Sequence, residues 1–99
     1  MNVDPEFLRL HVVIDGQVQG VGFRYFVLEK AEKLQVKGWV RNTSDGQVEV
    51  TAEGRKKTLD EFLEYLKQGP RMAYVTDTQQ TWQPATGEYT RFNIVPSSY

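Results

Sequence analysis

The sequence predicts an α+β fold in which two helices cover one face of an antiparallel sheet. Apolar and polar residues alternate in several short segments, which is the period of a half-buried strand. In two longer segments apolar residues recur every three or four positions, which is the period of an amphipathic helix. The segments follow one another as β-α-β-β-α-β, and 99 residues are enough for one such domain.

A strand and a helix joined by a glycine-rich turn form the first unit. Apolar residues alternate from Leu8 to Ile14, and His11 falls on the exposed set. Glycines at positions 16, 20 and 22 then interrupt the strand, because they permit backbone conformations that other residues avoid. Helical spacing follows, with its apolar positions at Phe23, Val27, Ala31 and Leu34.

Four further strands are predicted from the same alternation. Residues 36–41 and 48–52 form a hairpin, because the Asp-Gly pair at 45–46 favours a tight turn between two strands. Residues 72–82 form the next strand and residues 89–95 the last short one. The order of strands and helices is that of the ferredoxin-like βαββαβ sandwich, a fold that serves many functions.

The second helix is predicted after a polar link at residues 54–57. Thr58 and Glu61 fit a capping box, in which each side chain satisfies a backbone N–H group at the helix start. The glycine and proline at 69–70 are typical of a helix end. The apolar stripe of this helix consists of Leu59, Phe62, Leu63 and Leu66.

Both ends of the chain fall outside these patterns. Residues 1–7 precede the first clear alternation and are expected to be a leader, either added to the native chain or disordered. The domain is therefore expected to span residues 8–99, with residues 96–99 as a short tail.

The composition excludes several kinds of site. Without cysteine there is no disulfide scaffold, no thiolate zinc site and no cysteine nucleophile, and a single histidine disfavours a histidine-based metal site. The net charge of −1 argues against a protein that mainly grips nucleic-acid backbones. No stretch has the apolar length of a membrane span or the pattern of a secretion signal, so a cytoplasmic location is expected.

The glycine-rich turn that leads into the first helix is a candidate anion site. A helix N-terminus presents unpaired backbone N–H groups and a partial positive charge, which suit a phosphate or carboxylate. Arg24 lies in the first turn of this helix, and its guanidinium can bind two phosphate oxygens. On these residues alone, a tight turn with a surface arginine is an equal alternative, and Asn42 is best explained as the start of the hairpin turn.

Taken together, the turn and the hairpin resemble the acylphosphatase family. The matching segments are QVQGVGFR at 17–24, GWVRN at 38–42, DGQVEV at 45–50 and GPRMAYV at 69–75, within a likeness that covers residues 8–95. The resemblance implies the βαββαβ sandwich that the patterns predict independently. It also implies an enzyme that hydrolyses the carboxyl–phosphate bond of acyl phosphates without metal or cofactor.

The resemblance implies a set of site residues and partners. The essential arginine is Arg24, the water-positioning asparagine is Asn42, and Thr43 supports Asn42. The phosphate-binding loop comprises Gln19, Gly20, Val21, Gly22, Phe23 and Arg24. The implied partners are a small acyl phosphate as substrate and inorganic phosphate as product and competitive ligand. No cofactor, metal, nucleic acid or membrane is expected, and the chain is expected to be a monomer.

Two positions depart from the family pattern. The family's first helix often ends in Leu-Gly, whereas Leu34 is followed here by Gln35, which is less suited to a left-handed cap. Family chains commonly end at a tyrosine soon after the last strand, whereas residues 96–98 precede Tyr99 here. No role is therefore transferred to Tyr99.

Two alternative functions stay open. An RNA-binding module of this fold carries aromatic residues on its central strands, whereas Phe23, Tyr25 and Phe26 follow a glycine turn and enter a helix. An acylphosphatase-like domain that binds carbamoyl phosphate or a protein partner would keep the anion site without turnover. The presence of both Arg24 and Asn42 favours the enzyme.

Overall fold

A computed structural model describes residues 6–98, so the expectations for residues 1–5 of the leader and for Tyr99 lie outside the described residues. The predicted fold class is confirmed. The elements are β1 (Phe7–Gln17), α1 (Phe23–Leu34), β2 (Lys37–Asn42), β3 (Val48–Arg55), α2 (Lys56–Gln68), β4 (Tyr74–Pro84) and β5 (Phe92–Ile94).

The five strands form one sheet in the order β4-β1-β3-β2-β5. The first four strands pair antiparallel, as the sequence predicts. Strand β5 instead runs parallel to β2, with Gly38 opposite Phe92 and Val40 opposite Ile94, so the whole sheet is mixed. The direction follows from the connection, because residues 85–91 take the chain from β4 at one edge of the sheet to β5 at the other.

The core lies between the sheet and the two helices. On β1, Leu10, Val12 and Ile14 are fully buried, while the residues between them are half-buried on the opposite face. Helices α1 and α2 contribute apolar stripes to the same cluster, which contains Phe23, Val27, Ala31, Leu59, Phe62, Leu63 and Leu66. The helical spacing predicts these stripes, because burial of one helix face requires that spacing. Leu34, the fourth position predicted on α1, is only partly buried against the cluster.

The face of the sheet away from the helices carries an ion-pair network. Residue Glu53 is 5% exposed, accepts a hydrogen bond from Arg9 at 2.8 Å and accepts the backbone N–H groups of Thr86 and Gly87 at 2.9 Å each. Burial raises the pKa of the Glu53 carboxyl, but these hydrogen bonds outweigh it and hold the pKa below its ordinary value. These bonds hold the connection at 85–91 against the sheet. The connection then leads to β5, which lies beside β2.

His11 lies on this same face but is not the isolated exposed histidine that the sequence predicts. Its Nε2 is 2.7 Å from Oε2 of Glu49, and Arg41 donates through Nε to Oε1 of the same carboxylate at 2.8 Å. Strand pairing produces this cluster, because Glu49 on β3 lies between β1 and β2. Alternation along one strand shows which face a residue occupies but does not show its cross-strand partner.

The start of α2 differs from the prediction. The helix begins at Lys56, directly after β3, so the polar link expected at 54–57 does not exist. The residue before the helix is Arg55, which makes no side-chain cap, so the capping box predicted for Thr58 and Glu61 is wrong. The cause is a tertiary contact: the Lys56 N–H donates to the carbonyl of Glu6 at 2.9 Å, and the residue before β1 therefore caps the helix.

The end of α1 confirms the unfavourable cap expected at Gln35. This residue has φ 58°, and no other non-glycine residue within 6–98 has a positive φ. The N–H of Val36 donates to the carbonyl of Ala31 at 3.0 Å and that of Gln35 to Glu32 at 3.2 Å. These two bonds form a Schellman motif, a helix ending that favours glycine in the left-handed position.

Replacing Gln35 by glycine is expected to stabilise the fold. The left-handed conformation costs a non-glycine residue about 1–2 kcal/mol. Glycine avoids this cost, but its greater conformational freedom in the unfolded chain offsets part of the stabilisation. We expect Gln35→Gly to raise the free energy of unfolding by about 0.5–1 kcal/mol, measured by urea denaturation. The matched change Gln68→Gly lies within the last turn of α2 and should lower it. If Gln35→Gly were no more stable than the parent, the backbone at Gln35 would not be strained.

Candidate active site

The loop between β1 and α1 has the backbone geometry of an anion site. Its glycines Gly20 and Gly22 have φ of 74° and 80°, values that L side chains rarely adopt. A Cβ atom at either glycine would meet no atom within 4 Å, so both positions face open space rather than a packed neighbour. The loop is therefore accessible to a ligand, and its shape depends on left-handed backbone at two points.

The first turn of α1 adds donors and positive charge to this loop. Its N–H groups have no partner within the helix, as at every helix start. The turn contains no acidic residue, and Gly22 at the N-cap provides no side-chain cap. An anion would meet these amides and the positive end of the helix dipole without a competing carboxylate on the helix.

Arg24 is the second residue of α1 and lies beside these amides. Its side chain is half-buried, and it makes no hydrogen bond or ion pair with any residue in the described range 6–98. Three other arginines form ion pairs within the described range: Arg9 with Glu53, Arg41 with Glu49 and Arg55 with Glu6. All the N–H donors of the Arg24 guanidinium therefore remain available to bind an external anion.

Asn42 is the last residue of β2 and is 9% exposed. Its backbone is fixed on both sides, because it pairs with Val48 on β3 and its carbonyl accepts the N–H of Ser98 at 3.0 Å. Its Oδ1 is buried and accepts no hydrogen bond from the described residues. A buried polar atom without a partner is uncommon, so this amide retains hydrogen-bonding capacity in a rigid position.

Thr43 follows Asn42 at the start of the hairpin turn. Its Oγ1 accepts the N–H of Gln47 at 3.2 Å, and its own N–H donates to the Gln47 carbonyl at 2.9 Å. The hydroxyl thus orders the turn that follows Asn42. Direct support of the Asn42 side chain by Thr43 stays a prediction.

Gln19 joins the loop to the hairpin through its side chain. Its Nε2 donates to the carbonyl of Thr43 at 2.9 Å and to the carbonyl of Gln47 at 2.8 Å. The side chain of Gln47 in turn donates to Oδ1 of Asp15 at 2.8 Å. These side-chain amides hold the loop that leads to Arg24 against the hairpin that carries Asn42.

Nothing in the sequence predicts that the Gln19 side chain joins the loop to the hairpin. It predicts Gln19 as part of the phosphate-binding loop through its backbone, and a role of the loop residues 19–24 in binding phosphate stays a prediction. The bonds of the side chain join residues 24 and 28 positions apart, and no local spacing indicates such a partner. The predicted strand ends show only that a loop and a hairpin turn lie at the same end of the sheet.

Comparison with known proteins identifies the family. The acylphosphatase family model matches residues 10–94, which is most of the chain. The chain belongs to the acylphosphatase family. Acylphosphatase membership confirms the enzymatic function expected from the sequence, with a small acyl phosphate as substrate.

Two individual acylphosphatases illustrate how closely the chain follows the family. The acylphosphatase of Bacillus subtilis is 44% identical over 90 residues, which is 91% of this chain and 99% of that protein. A crystal structure of acylphosphatase from Bacillus subtilis superimposes with a TM-score of 0.86, covering 89% of this chain and 98% of that one. The likeness thus extends through both the sequence and the fold.

A larger protein also contains this fold. The crystal structure of full-length HypF in its phosphate- and nucleotide-bound form matches with a TM-score of 0.86 and 33% identity. The match covers 99% of this chain but 13% of HypF. The acylphosphatase fold therefore occurs both as a small protein and as a part of a longer chain.

Proposed function

We propose that the chain hydrolyses acyl phosphates to a carboxylate and inorganic phosphate by in-line attack of water, without a metal. The observation that carries the proposal is an arginine with no partner among residues 6–98, at the start of the helix that follows the glycine loop. Family membership supplies the substrate class, and the Gln19 side chain joins that loop to the hairpin that carries Asn42. The monomeric state and the cytoplasmic location stay predictions.

The substrate explains why few catalytic groups suffice. The leaving group is a carboxylate, whose acid has a pKa of about 4, so it departs at neutral pH without a general acid. What remains is to hold the phosphoryl group and to aim water at phosphorus. Phosphoryl transfer depends mainly on such positioning and on electrostatic stabilisation.

Arg24 and the backbone amides of residues 19–24 would hold the phosphoryl group. Amides that point at one spot bind its oxygens as an oxyanion hole does. The guanidinium of Arg24 forms two parallel hydrogen bonds to oxygens and retains its charge throughout the reaction. Because Arg24 has no protein partner in the described range to release, these bonds form without breaking an ion pair.

Asn42 would orient the attacking water through its amide. An amide is too weakly basic to take a proton, so it can only position the water by hydrogen bonds. The water oxygen forms a bond to phosphorus while the bond from phosphorus to the acyl oxygen breaks. The proton of the water passes to a phosphoryl oxygen of the substrate, and the bond electrons leave with the carboxylate.

Turnover of acetyl phosphate tests the proposal directly. We expect purified protein to release inorganic phosphate from acetyl phosphate, with inorganic phosphate as a competitive inhibitor. A phosphate-binding domain without catalysis is the second candidate, favoured by the likeness to a part of HypF in a phosphate-bound form. Binding of inorganic phosphate with no hydrolysis would favour that candidate and contradict the proposed enzyme.

A chelator is expected to leave the rate unchanged. Among residues 6–98, no group of three or more histidine, aspartate or glutamate side chains could hold a metal ion, and the loop offers amides and a cation instead. A catalytic zinc ion is usually held by three such ligands. We expect acetyl phosphate turnover in excess EDTA to stay within error of the untreated rate. Strong inhibition that added Mg²⁺ reverses would reveal a metal requirement.

Loss of the Gln19 side chain is expected to impair turnover more than stability. Gln19→Leu removes the bonds to Thr43 and Gln47, so the loop and the hairpin are no longer joined at the site. A small displacement of positioned groups costs about 100-fold in rate, and we expect a loss of that order in kcat with acetyl phosphate. The matched change Gln17→Leu removes an exposed glutamine of β1 and should leave kcat unchanged. Equal effects of the two changes would contradict a positioning role.

No helix within residues 6–98 is long and apolar enough to cross a membrane. The aromatic residues that superficially resemble an RNA-binding pattern lie on α1 rather than on a central strand. An RNA-binding function is therefore not proposed.

A further inference from the structure

Two aspartates lie directly opposite each other in the sheet, Asp15 on β1 and Asp77 on β4. Residues that face each other in an antiparallel pair project their side chains from the same face, and like charges there destabilise the pair. Natural sequences break such local rules mainly at functional sites. One of the two aspartates is therefore expected to serve the site rather than the sheet.

The contacts of the two aspartates differ. Asp15 is half-buried, and its Oδ1 accepts a hydrogen bond from Nε2 of Gln47 at 2.8 Å. Asp77 is exposed, and no residue within 6–98 forms a hydrogen bond or ion pair with its side chain. Asp15 is thus the aspartate with a partner, and that partner belongs to the hairpin turn that follows Asn42.

The backbone around Asp15 makes it a firm anchor for Gln47. Strand β1 lies between β3 and β4, so hydrogen bonds fix it on both sides. The pairing with β4 then shifts directly after Asp15, at the point where β1 leads into the loop before α1. Irregularities of this kind are common next to active sites, where they redirect the chain or a side chain.

Gln47 connects this anchor to both parts of the candidate site through its backbone. Its carbonyl oxygen accepts Nε2 of Gln19 at 2.8 Å and the N–H of Thr43 at 2.9 Å. Its own N–H donates to Oγ1 of Thr43 at 3.2 Å. A displacement of Gln47 would therefore move both the residue that follows Asn42 and the side chain that holds the loop.

We propose that Asp15 is a positioning residue for the hydrolysis of acyl phosphates. Its carboxylate fixes the side chain of Gln47 and thereby the position of the loop at 19–24 relative to Asn42. The inference rests on the proposed function, in which Arg24 and the loop amides hold the phosphoryl group while Asn42 orients water. In this role Asp15 acts through Gln47 and not on the substrate, and the sheet tolerates its repulsion from Asp77.

Asp15→Ala is expected to lower kcat for acetyl phosphate by about tenfold. A misplacement of about 1 Å costs about 100-fold, and the smaller loss applies because the Gln19 bonds and the strand pairing remain. Affinity for inorganic phosphate should stay within about twofold, because the groups that hold phosphate are retained and only the rate depends on their position relative to water.

Asp77→Ala is the matched control. It removes a carboxylate from the same face of the sheet, beside Asp15, but removes no hydrogen bond within 6–98. Relief of the repulsion is common to both changes, so a difference in kcat between them arises from the bond to Gln47. We expect Asp77→Ala to keep the parental kcat. Equal kcat values for Asp15→Ala and Asp77→Ala would overturn the proposal.

Two further variants test whether the hydrogen bond is the cause. Asp15→Asn removes the charge but keeps an oxygen acceptor for Nε2 of Gln47, so kcat should stay within about twofold of the parent. Gln47→Ala removes the same bond and leaves the backbone bonds of residue 47 in place. The double variant Asp15→Ala/Gln47→Ala should be no slower than the slower single variant, because both changes remove one interaction. Losses that multiply, or an Asp15→Asn protein as slow as Asp15→Ala, would contradict the proposal.

Hydrogen exchange at the Gln19 side chain separates this proposal from the proposed function. The Nε2 protons of Gln19 are bound to the carbonyls of Thr43 and Gln47, and bonded protons exchange only when the structure opens locally. We expect NMR to show exchange about threefold faster than the parent in Asp15→Ala and parental exchange in Asp77→Ala. That result without any acetyl phosphate turnover would reject the enzyme and retain Asp15 as the anchor of the loop. Turnover with parental exchange and parental kcat in Asp15→Ala would reject the positioning role alone.

Discussion

Arg24→Ala is expected to lower kcat/KM for acetyl phosphate by about 1,000-fold or more. The guanidinium supplies two charge-assisted bonds to the phosphoryl group, and removal of one such preorganised donor typically costs about 100- to 1,000-fold in rate. The affinity for inorganic phosphate, measured by calorimetry, should fall as well. The free energy of unfolding should change by less than about 0.5 kcal/mol, because the Arg24 side chain bonds to no residue within 6–98.

Two further variants separate charge from geometry at this position. Arg24→Lys keeps the positive charge but loses the planar fork, so we expect activity between those of Arg24→Ala and the parent. Arg71→Ala removes an exposed arginine from the loop after α2 and serves as the control for loss of one positive charge. It should leave turnover unchanged. If Arg24→Ala retained the turnover of Arg71→Ala, the arginine would have no part in the mechanism.

Local patterns predicted the elements that position the site. Helix α1 has the apolar positions and the last residue expected from its spacing, and β1 buries the expected face. The left-handed residue Gln35 could also be anticipated, because a Schellman ending depends on a few neighbouring residues. In each case the interactions that determine the structure are local, because they join residues within one or two helical turns or along one strand.

Contacts between distant segments account for what the sequence missed. Residue Lys56 begins α2 because its N–H meets Glu6, and no spacing within the helix indicates that contact. The buried carboxylate of Glu53 holds residues of the 85–91 connection across the sheet, and this connection leads the chain to β5 beside β2. Such bonds follow from the assembled sheet, and one-dimensional alternation contains no information about them.

The same distinction applies to the candidate site. Glycines before a helix indicate where an anion could bind, but they do not show whether the nearby arginine is engaged elsewhere. The structure adds that Arg24 has no ion pair within the described range, whereas Arg9 and Arg41 are paired. It also shows Gln19 as the link to the hairpin, which makes the relative position of Arg24 and Asn42 a property of the fold.

Asn42→Ala is expected to lower kcat for acetyl phosphate by about 100- to 1,000-fold while affinity for inorganic phosphate stays within about threefold. The reason is that the amide orients water, whereas Arg24 and the loop amides hold the phosphoryl group. The stability cost should be small, because the side-chain Oδ1 of Asn42 is buried without a described partner, and removal of an unsatisfied polar group offsets the lost packing.

Two further variants, one at Asn42 and one at Thr43, test whether the loss of kcat arises because the attacking water is no longer oriented. Asn42→Asp keeps the shape but places a carboxylate near the phosphoryl group, so both kcat and phosphate affinity should fall through like-charge repulsion. Thr43→Val removes the bond to the Gln47 N–H and should lower kcat less than Asn42→Ala does, because the strand pairing still fixes the Asn42 backbone. Loss of phosphate affinity with an unchanged kcat in Asn42→Ala would instead make Asn42 a ligand of the substrate, and the water would then need another positioning group.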